Sequence, residues 1–203
     1  MKNEINRIAD KLVKAYNTNT VINPIPVKYC KNIKLANKLR KLCEDQIKDE
    51  TIGVKAGGTG IQALKKLKEK EPFTAKVFKK RLVKSGQNVK INQHTKGIEV
   101  EVYYFIKKSF FDFKGKITKS NISKFIKFMG PCFEIVGFRQ RNKKFTYLGD
   151  ICGDFGFNIK FVVGRKTKFK KLNLNNLKTS LVSKKNGVKV NGNTNIVYIN
   201  PLN

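Results

Sequence analysis

The sequence predicts an α+β fold with helices first and a sheet-rich body after them. Two patterns carry that reading. Apolar residues recur at three- and four-residue spacings in the first fifty positions, and from about residue 76 they alternate or gather in β-branched and aromatic runs. No longer repeat interrupts this order. A chain of 203 residues with 40% hydrophobic content can bury one core without disulfides or structural metal. Its 15 Phe are incompatible with a disordered polybasic tail. No stretch approaches the ~18 uncharged apolar residues of a membrane span.

The elements follow in order. Residues 1–17 read as an amphipathic helix, with Ile5, Ile8, Leu12 and Val13 on one stripe. The segment NTNTVINPIP ends it, because two prolines and several Asn disfavour continuation. A second helix is expected near residues 32–49, with Leu35, Leu39, Leu42 and Gln46 on one face. Residues 1–50 are thus expected to form a helical arm and residues 51–203 a β-rich body, within one structural domain. TIGVKAGGTG is a strand entering a Gly-rich turn, and Gly60 to Lys70 a Lys-rich helical piece. Val89 and Ile91 alternate, as does GIEVEVYYFIK. Residues 118–129 suggest a short helix opened by Ser or Asn. The runs PCFEIVGF, NIKFVVG, TSLVSKKNGVKV and TNIVYIN read as strands. Asn186-Gly187 fits a two-residue hairpin turn, giving a hairpin and a following strand over 179–199.

The net charge of +30 is the footprint of a polyanion or nucleic-acid binder. Two details weaken it. There are 38 Lys and only 6 Arg, whereas base and phosphate recognition leans on Arg forks. The lysines are also spread evenly, as AT-rich codons would spread them, so drift and a polyanion role both stay open. The start carries acids and lacks an apolar h-region, so it is neither a signal nor a transit peptide, and a cytoplasmic protein is expected. Cys30, Cys43, Cys132 and Cys152 make no CxxC pair and are read as reduced and buried. His94, in the polar NQHTKG stretch, reads as a turn residue rather than a ligand.

The 14 acids are more informative than the lysines, and none follows Asp154. On an extended strand Glu99 and Glu101 point to one face, with Cα atoms roughly 6–7 Å apart at ~3.3 Å per residue. Both can then reach one hard divalent cation; without it, two like charges would repel and be desolvated. Glu134 lies in a further apolar run, and three carboxylates suit Mg²⁺ or Mn²⁺. The competing reading puts Glu99 and Glu101 on the solvent face of an edge strand beside lysines. Lys55 enters the Gly-rich turn, where a Lys near a metal-bound carbonyl can serve as proton donor. That turn matches neither GxxxxGK[ST] nor GxGxxG, so no nucleotide loop is expected.

In order, these segments resemble the 2-keto-4-pentenoate hydratase family, a branch of the fumarylacetoacetate hydrolase-like superfamily that also holds 2-oxo-3-hexenedioate decarboxylases. GVKAGGT resembles its G-x-K-x-G-x-T segment, and KGIEVEVYYFIKKSF its E-x-E strand. PCFEIVGFRQ resembles the segment with the third carboxylate and an Arg, and GDFGFNIKFVVG the Asp-Asn-Ala-Ser segment. NGVKVNGNTNIVYINPLN is similar to its terminal hairpin and Pro-Leu-Asn turn.

The resemblance implies a mixed β-roll of the fumarylacetoacetate hydrolase C-terminal-domain type. It implies Glu99, Glu101 and Glu134 as Mg²⁺ or Mn²⁺ ligands, Lys55 as the catalytic Lys, and Arg139 and Asp154 as substrate-binding. The implied reaction is hydration of a 2-oxo-4-enoate such as 2-keto-4-pentenoate, or decarboxylation of a 2-oxo diacid. The partners are then a small anionic 2-oxo acid and further copies of the chain, with no membrane. The alternative is a non-catalytic member that binds a polyanion or nucleic acid through its lysines. The sequence departs from the family where Phe73 replaces an acid and where Phe155 and Phe157 replace Asn and Ser. It also reaches PLN where the family continues, which implies either a truncated, divergent member or a sheet edge covered by a partner chain.

Overall fold

The computed structural model describes residues 3–91, 93–170 and 174–197. Helix α1 (Glu4–Thr18) starts where the Asn3 side chain accepts a hydrogen bond from the Asn6 amide at 3.1 Å, and stops at Asn19 in the left-handed region. It buries the expected stripe together with Ala9 and Tyr16. After a single turn, α2 (Lys28–Lys31), Asn32 caps α3 (Ile33–Glu44) by accepting from the amides of Lys34 and Leu35. Helix α3 ends before residue 49 because Glu44 is turned inward. Its carboxylate accepts from Arg40 Nη1 at 2.6 Å and from the Lys76 amide at 2.8 Å, which ties the helix end to the following sheet.

Strand β1 (Thr51–Gly57) pairs antiparallel with β2 (Phe73–Phe78), with Lys55 opposite Ala75. Between them α4 is only Ile61–Lys66, shorter than the expected 60–70. The main sheet is built from β3 (Leu82–Lys84), β4 (Thr95–Ile106), β5 (Ile126–Gly137), β6 (Asn158–Val163) and β7 (Thr167–Lys168). Its order is β3-β6-β5-β4, parallel only between β3 and β6, and β7 pairs with one end of β5. Helix α5 (Leu148–Cys152) and the 155–157 turn link β5 to β6. A separate hairpin joins β8 (Lys178–Val182) to β9 (Lys189–Asn193).

Two apolar clusters hold these parts together. One packs α1 and α3 against Phe78 and Phe155; the other joins Ala36, Leu64, Phe73, Phe138 and α5. The N-terminal helices therefore share their core with the sheets. All four cysteines are free and buried, as their spacing predicts. Among the described residues no helix is long and apolar enough to cross a membrane.

The structure corrects several local expectations. Val89 and Ile91 form no strand, because alternation over so short a stretch finds no neighbour to pair with, and Ile91 is exposed. Of residues 118–129 only Ile122–Phe125 makes a 3₁₀ turn, and β5 starts at Ile126, which pairs with Ile106. The 183–188 turn is longer than two residues: the Ser183 amide donates to Val188 O, and Gly187, at φ 69, donates to Ser183 O. Thr194–Ile196 is a 3₁₀ turn rather than a strand, and Val197 makes a lone bridge to Gly60. The terminal Pro-Leu-Asn segment lies outside the described residues.

Leu39 of α3 is fully buried in the cluster that α3 shares with α1. Leu39→Ala should lower unfolding free energy by about 2–5 kcal/mol in urea titration, with the slope unchanged. A loss below about 1 kcal/mol would mean that the helices are not integral to the core.

Candidate metal centre

The β4–β5 register sets the site. Glu99 lies directly across from Glu134, and Glu101 across from Cys132. Because side chains alternate faces along a strand, these four share one face. One carboxylate oxygen from each of Glu99, Glu101 and Glu134 lies within 4.8 Å of the other two. Glu99 is exposed, Glu101 half-buried and Glu134 only 2% exposed, so the cluster runs inward from solvent.

Opposed like charges in a sheet are destabilising unless something neutralises them. Lys55, reaching across from β1, supplies one positive charge. Its Nζ donates to Glu134 Oε1 at 2.7 Å and Oε2 at 2.8 Å, and to the Gly156 carbonyl at 3.0 Å. One ammonium against three carboxylates leaves negative charge over. Burial, then the charges of Glu134 and Glu99, push the Glu101 carboxyl up to about 7. Burial also raises Glu134, against the pull of Lys55. Cys132 shares this face, and burial and the two neighbouring carboxylates push its thiol up to about 12, so it adds no negative charge to the metal-free cluster.

The donor set fits a hard divalent cation. It consists of carboxylate oxygens without imidazole or thiolate, the preference of Mg²⁺, Ca²⁺ or Mn²⁺. Opposite oxygens around Mg²⁺ stand roughly 4 Å apart and around Ca²⁺ roughly 5 Å. The observed 4.8 Å spread falls in that range.

Lys55 is aimed by an unusual turn. Phe155, Gly156 and Phe157 all have positive φ, at 52°, 67° and 70°. At Gly156 only glycine fits, since a Cβ would meet the Ala75 Cβ at 2.7 Å. The two aromatic residues in this region cost ~1–3 kcal/mol each. Ring packing offsets that cost: Phe155 stacks on Tyr16 at 4.3 Å and Phe157 tilts against Phe138 at 4.6 Å. The aromatic replacements thus pin the turn whose central carbonyl holds Lys55. Phe73 is core, packed in the second apolar cluster.

Arg139 and Asp154 are placed differently from Lys55. Both are almost fully buried, and Asp154 accepts from the Arg139 amide at 2.8 Å, Arg139 Nη1 at 3.2 Å and Gln140 Nε2 at 3.0 Å. Arg139 Nη2 also donates to the Asn158 carbonyl. The Asn158 amide in turn sits 3.4 Å from Glu134 Oε1. The pair lies behind the carboxylates and reaches them through Asn158. Sequence reasoning passed over Asn158 and the Gly156 carbonyl, although both lie in the GDFGFN segment it had singled out. His94 is a buried tie, with ring nitrogens 2.8 Å from Asn19 O and 3.3 Å from Phe138 O.

The helices-first α+β architecture expected from the sequence is the one observed, with the carboxylate cluster on its main sheet. The chain superposes on 4-oxalocrotonate decarboxylase from Pseudomonas putida G7 complexed with magnesium and adipate, with TM-score 0.72, and complexed with calcium and acetate, with TM-score 0.75. Each comparison covers 98% of this chain and 76% of the other at 16% identity, which is a likeness of fold. No family model and no curated protein matches the chain.

A carboxyl raised from 4.5 to about 7 keeps a proton in the folded state that the unfolded chain has lost. Glu101 therefore makes metal-free protein lose stability as pH rises from 4.5 to about 7. Glu101→Gln should flatten this slope and melt higher than the parent at pH 8 in EDTA, as read by thermal denaturation across pH. Parallel pH profiles for variant and parent would rule out the crowding described here.

Proposed function

We propose that this chain is a divalent-metal-dependent lyase that hydrates a 2-oxo-4-enoate such as 2-keto-4-pentenoate, with decarboxylation of a 2-oxo diacid as the neighbouring reaction. The observation that carries this reading is the convergence of three carboxylates on a strand face with one ammonium group locked against the innermost. Glu99, Glu101 and Glu134 would hold Mg²⁺ or Mn²⁺, which when bound supplies Lewis-acid polarisation of the 2-oxo acid oxygens.

The remaining work falls to the chain. Lys55 is the proton carrier. Its side chain is only slightly exposed, and its Nζ sits where positive charge is shared with Glu134. Glu134 and the Gly156 carbonyl fix its position, so a proton moves from a defined atom rather than from a mobile side chain. Asn158 orients Glu134 from behind, and the Arg139–Asp154 pair holds Asn158. This assigns Arg139 and Asp154 a positioning role. The fold likeness to a decarboxylase complexed with magnesium supports the class of reaction.

A second reading has one observation in its favour. Phe73, Phe155 and Phe157 pack into the protein where the resembled family carries polar groups. A scaffold that retained the carboxylates and lost turnover would show the same packing, its lysines left to bind a polyanion.

Loss of ultraviolet absorbance from a 2-hydroxy-2,4-dienoate separates the two. The lyase predicts Mg²⁺-dependent loss, reduced about 10²–10⁴-fold in Lys55→Met while cation binding persists. No turnover, with salt-sensitive binding to a DNA duplex, would favour the scaffold reading.

A further inference from the structure

A cavity of about 650 Å³ lies away from the carboxylates, where the end of α1 meets the 46–49 turn, the residues after β2, and β6. Its volume is in the ~300–1,000 Å³ range of small-molecule sites. The lining is strongly one-signed: Lys48, Lys80, Arg81 and Lys160 against Asp49. Asp49 is already occupied. Its Oδ1 accepts from the Glu50 amide at 2.9 Å and its Oδ2 from the Lys80 amide at 3.0 Å. Among the described residues none of the four cations forms an ion pair with a carboxylate.

Two of these cations are held in place. Arg81 Nη2 donates to the Tyr16 carbonyl at 2.7 Å, and its guanidinium lies 3.6 Å from the centroid of the Tyr16 ring, a cation–π contact. Lys160 Nζ donates to the Lys80 carbonyl at 2.8 Å. Burial, then the neighbouring Arg81, lower the Lys160 pKa against the opposing pull of Asp49. Even spread of lysines accounts for exposed cations. It does not account for an Arg, one of only six in the chain, stacked beside a partly buried Lys at one concavity.

Charge and geometry select the ligand. A guanidinium fork with clustered ammonium groups suits an anion with several acceptor oxygens and at least two charges. We propose that this cavity binds a phosphorylated small molecule, with Arg81 and Lys160 as its fixed contacts and Lys48 and Lys80 as mobile ones. The four cations converge on one concavity rather than along an extended face, which favours a small molecule over a nucleic-acid backbone. It does not rest on the lyase reading.

Inorganic pyrophosphate is a suitable probe, titrated calorimetrically into the full chain at physiological salt without divalent cation. The expected result is one saturable site, weakened at least about tenfold by Arg81→Gln and by Lys160→Gln. Lys185→Gln, on the exposed β8–β9 turn, should leave it unchanged, and so should Glu134→Gln at the carboxylate cluster. If Arg81→Gln melts early, Lys160→Gln alone carries the test. No binding, many weak sites lost equally in Lys185→Gln, or full displacement by a short DNA duplex at lower concentration would each overturn the proposal.

Discussion

The buried carboxylate of Glu134, gripped by Lys55, is the interaction on which the site depends. A carboxylate 2% exposed cannot remain charged without a partner, and Lys55 supplies it from another sheet. That requirement fixes the approach of β1 to β5. The β1–β2 ribbon brings Lys55 across, the 155–157 turn receives its third hydrogen bond, and Asn158 touches the other side of Glu134. An isolated buried ion pair contributes little net stability, because desolvation of both charges cancels most of the attraction. This one is surrounded by two more carboxylates that raise its electrostatic cost further. The proposed metal centre accounts for an arrangement that stability alone disfavours.

Behind that pair the chain builds supports rather than contacts. Arg139 and Asp154 neutralise each other in the interior and anchor the start of β6. The aromatic residues of the 155–157 turn hold a backbone conformation that a polar, solvated turn would release. The basic concavity shares this scaffold through Tyr16, which stacks on Phe155 and receives Arg81 on its ring.

Much of this was legible in the residues. Alternation around Glu99 and Glu101 is a local property, and the β4–β5 ladder realises it without shift across those positions. Glu134 stood out because a carboxylate in an apolar run needs a reason. Lys55 could not be chosen from 38 lysines by composition, and only its place in the glycine-rich segment marked it. Arg139 and Asp154 are legible as charged residues, while their depth is not, since a sequence shows charge and not burial. Asn158 was hidden because its role comes from cross-strand neighbours. Positive φ at Phe155 and Phe157 was invisible, as aromatic residues adopt it only under packing that no local pattern encodes. The +30 charge said least, because most lysines are surface and only the few held in a concavity acquire meaning.

The most direct test of the account is a Mn²⁺ titration of metal-free protein, followed by the paramagnetic resonance of free ion. Three converging carboxylates predict one bound Mn²⁺ per chain, displaced by Mg²⁺, with affinity rising as pH increases to about 7 and Glu101 loses its proton. Glu134→Gln should abolish that site. Absence of stoichiometric binding at pH 8, or binding unchanged in Glu134→Gln, would contradict the assignment of this face as a metal centre.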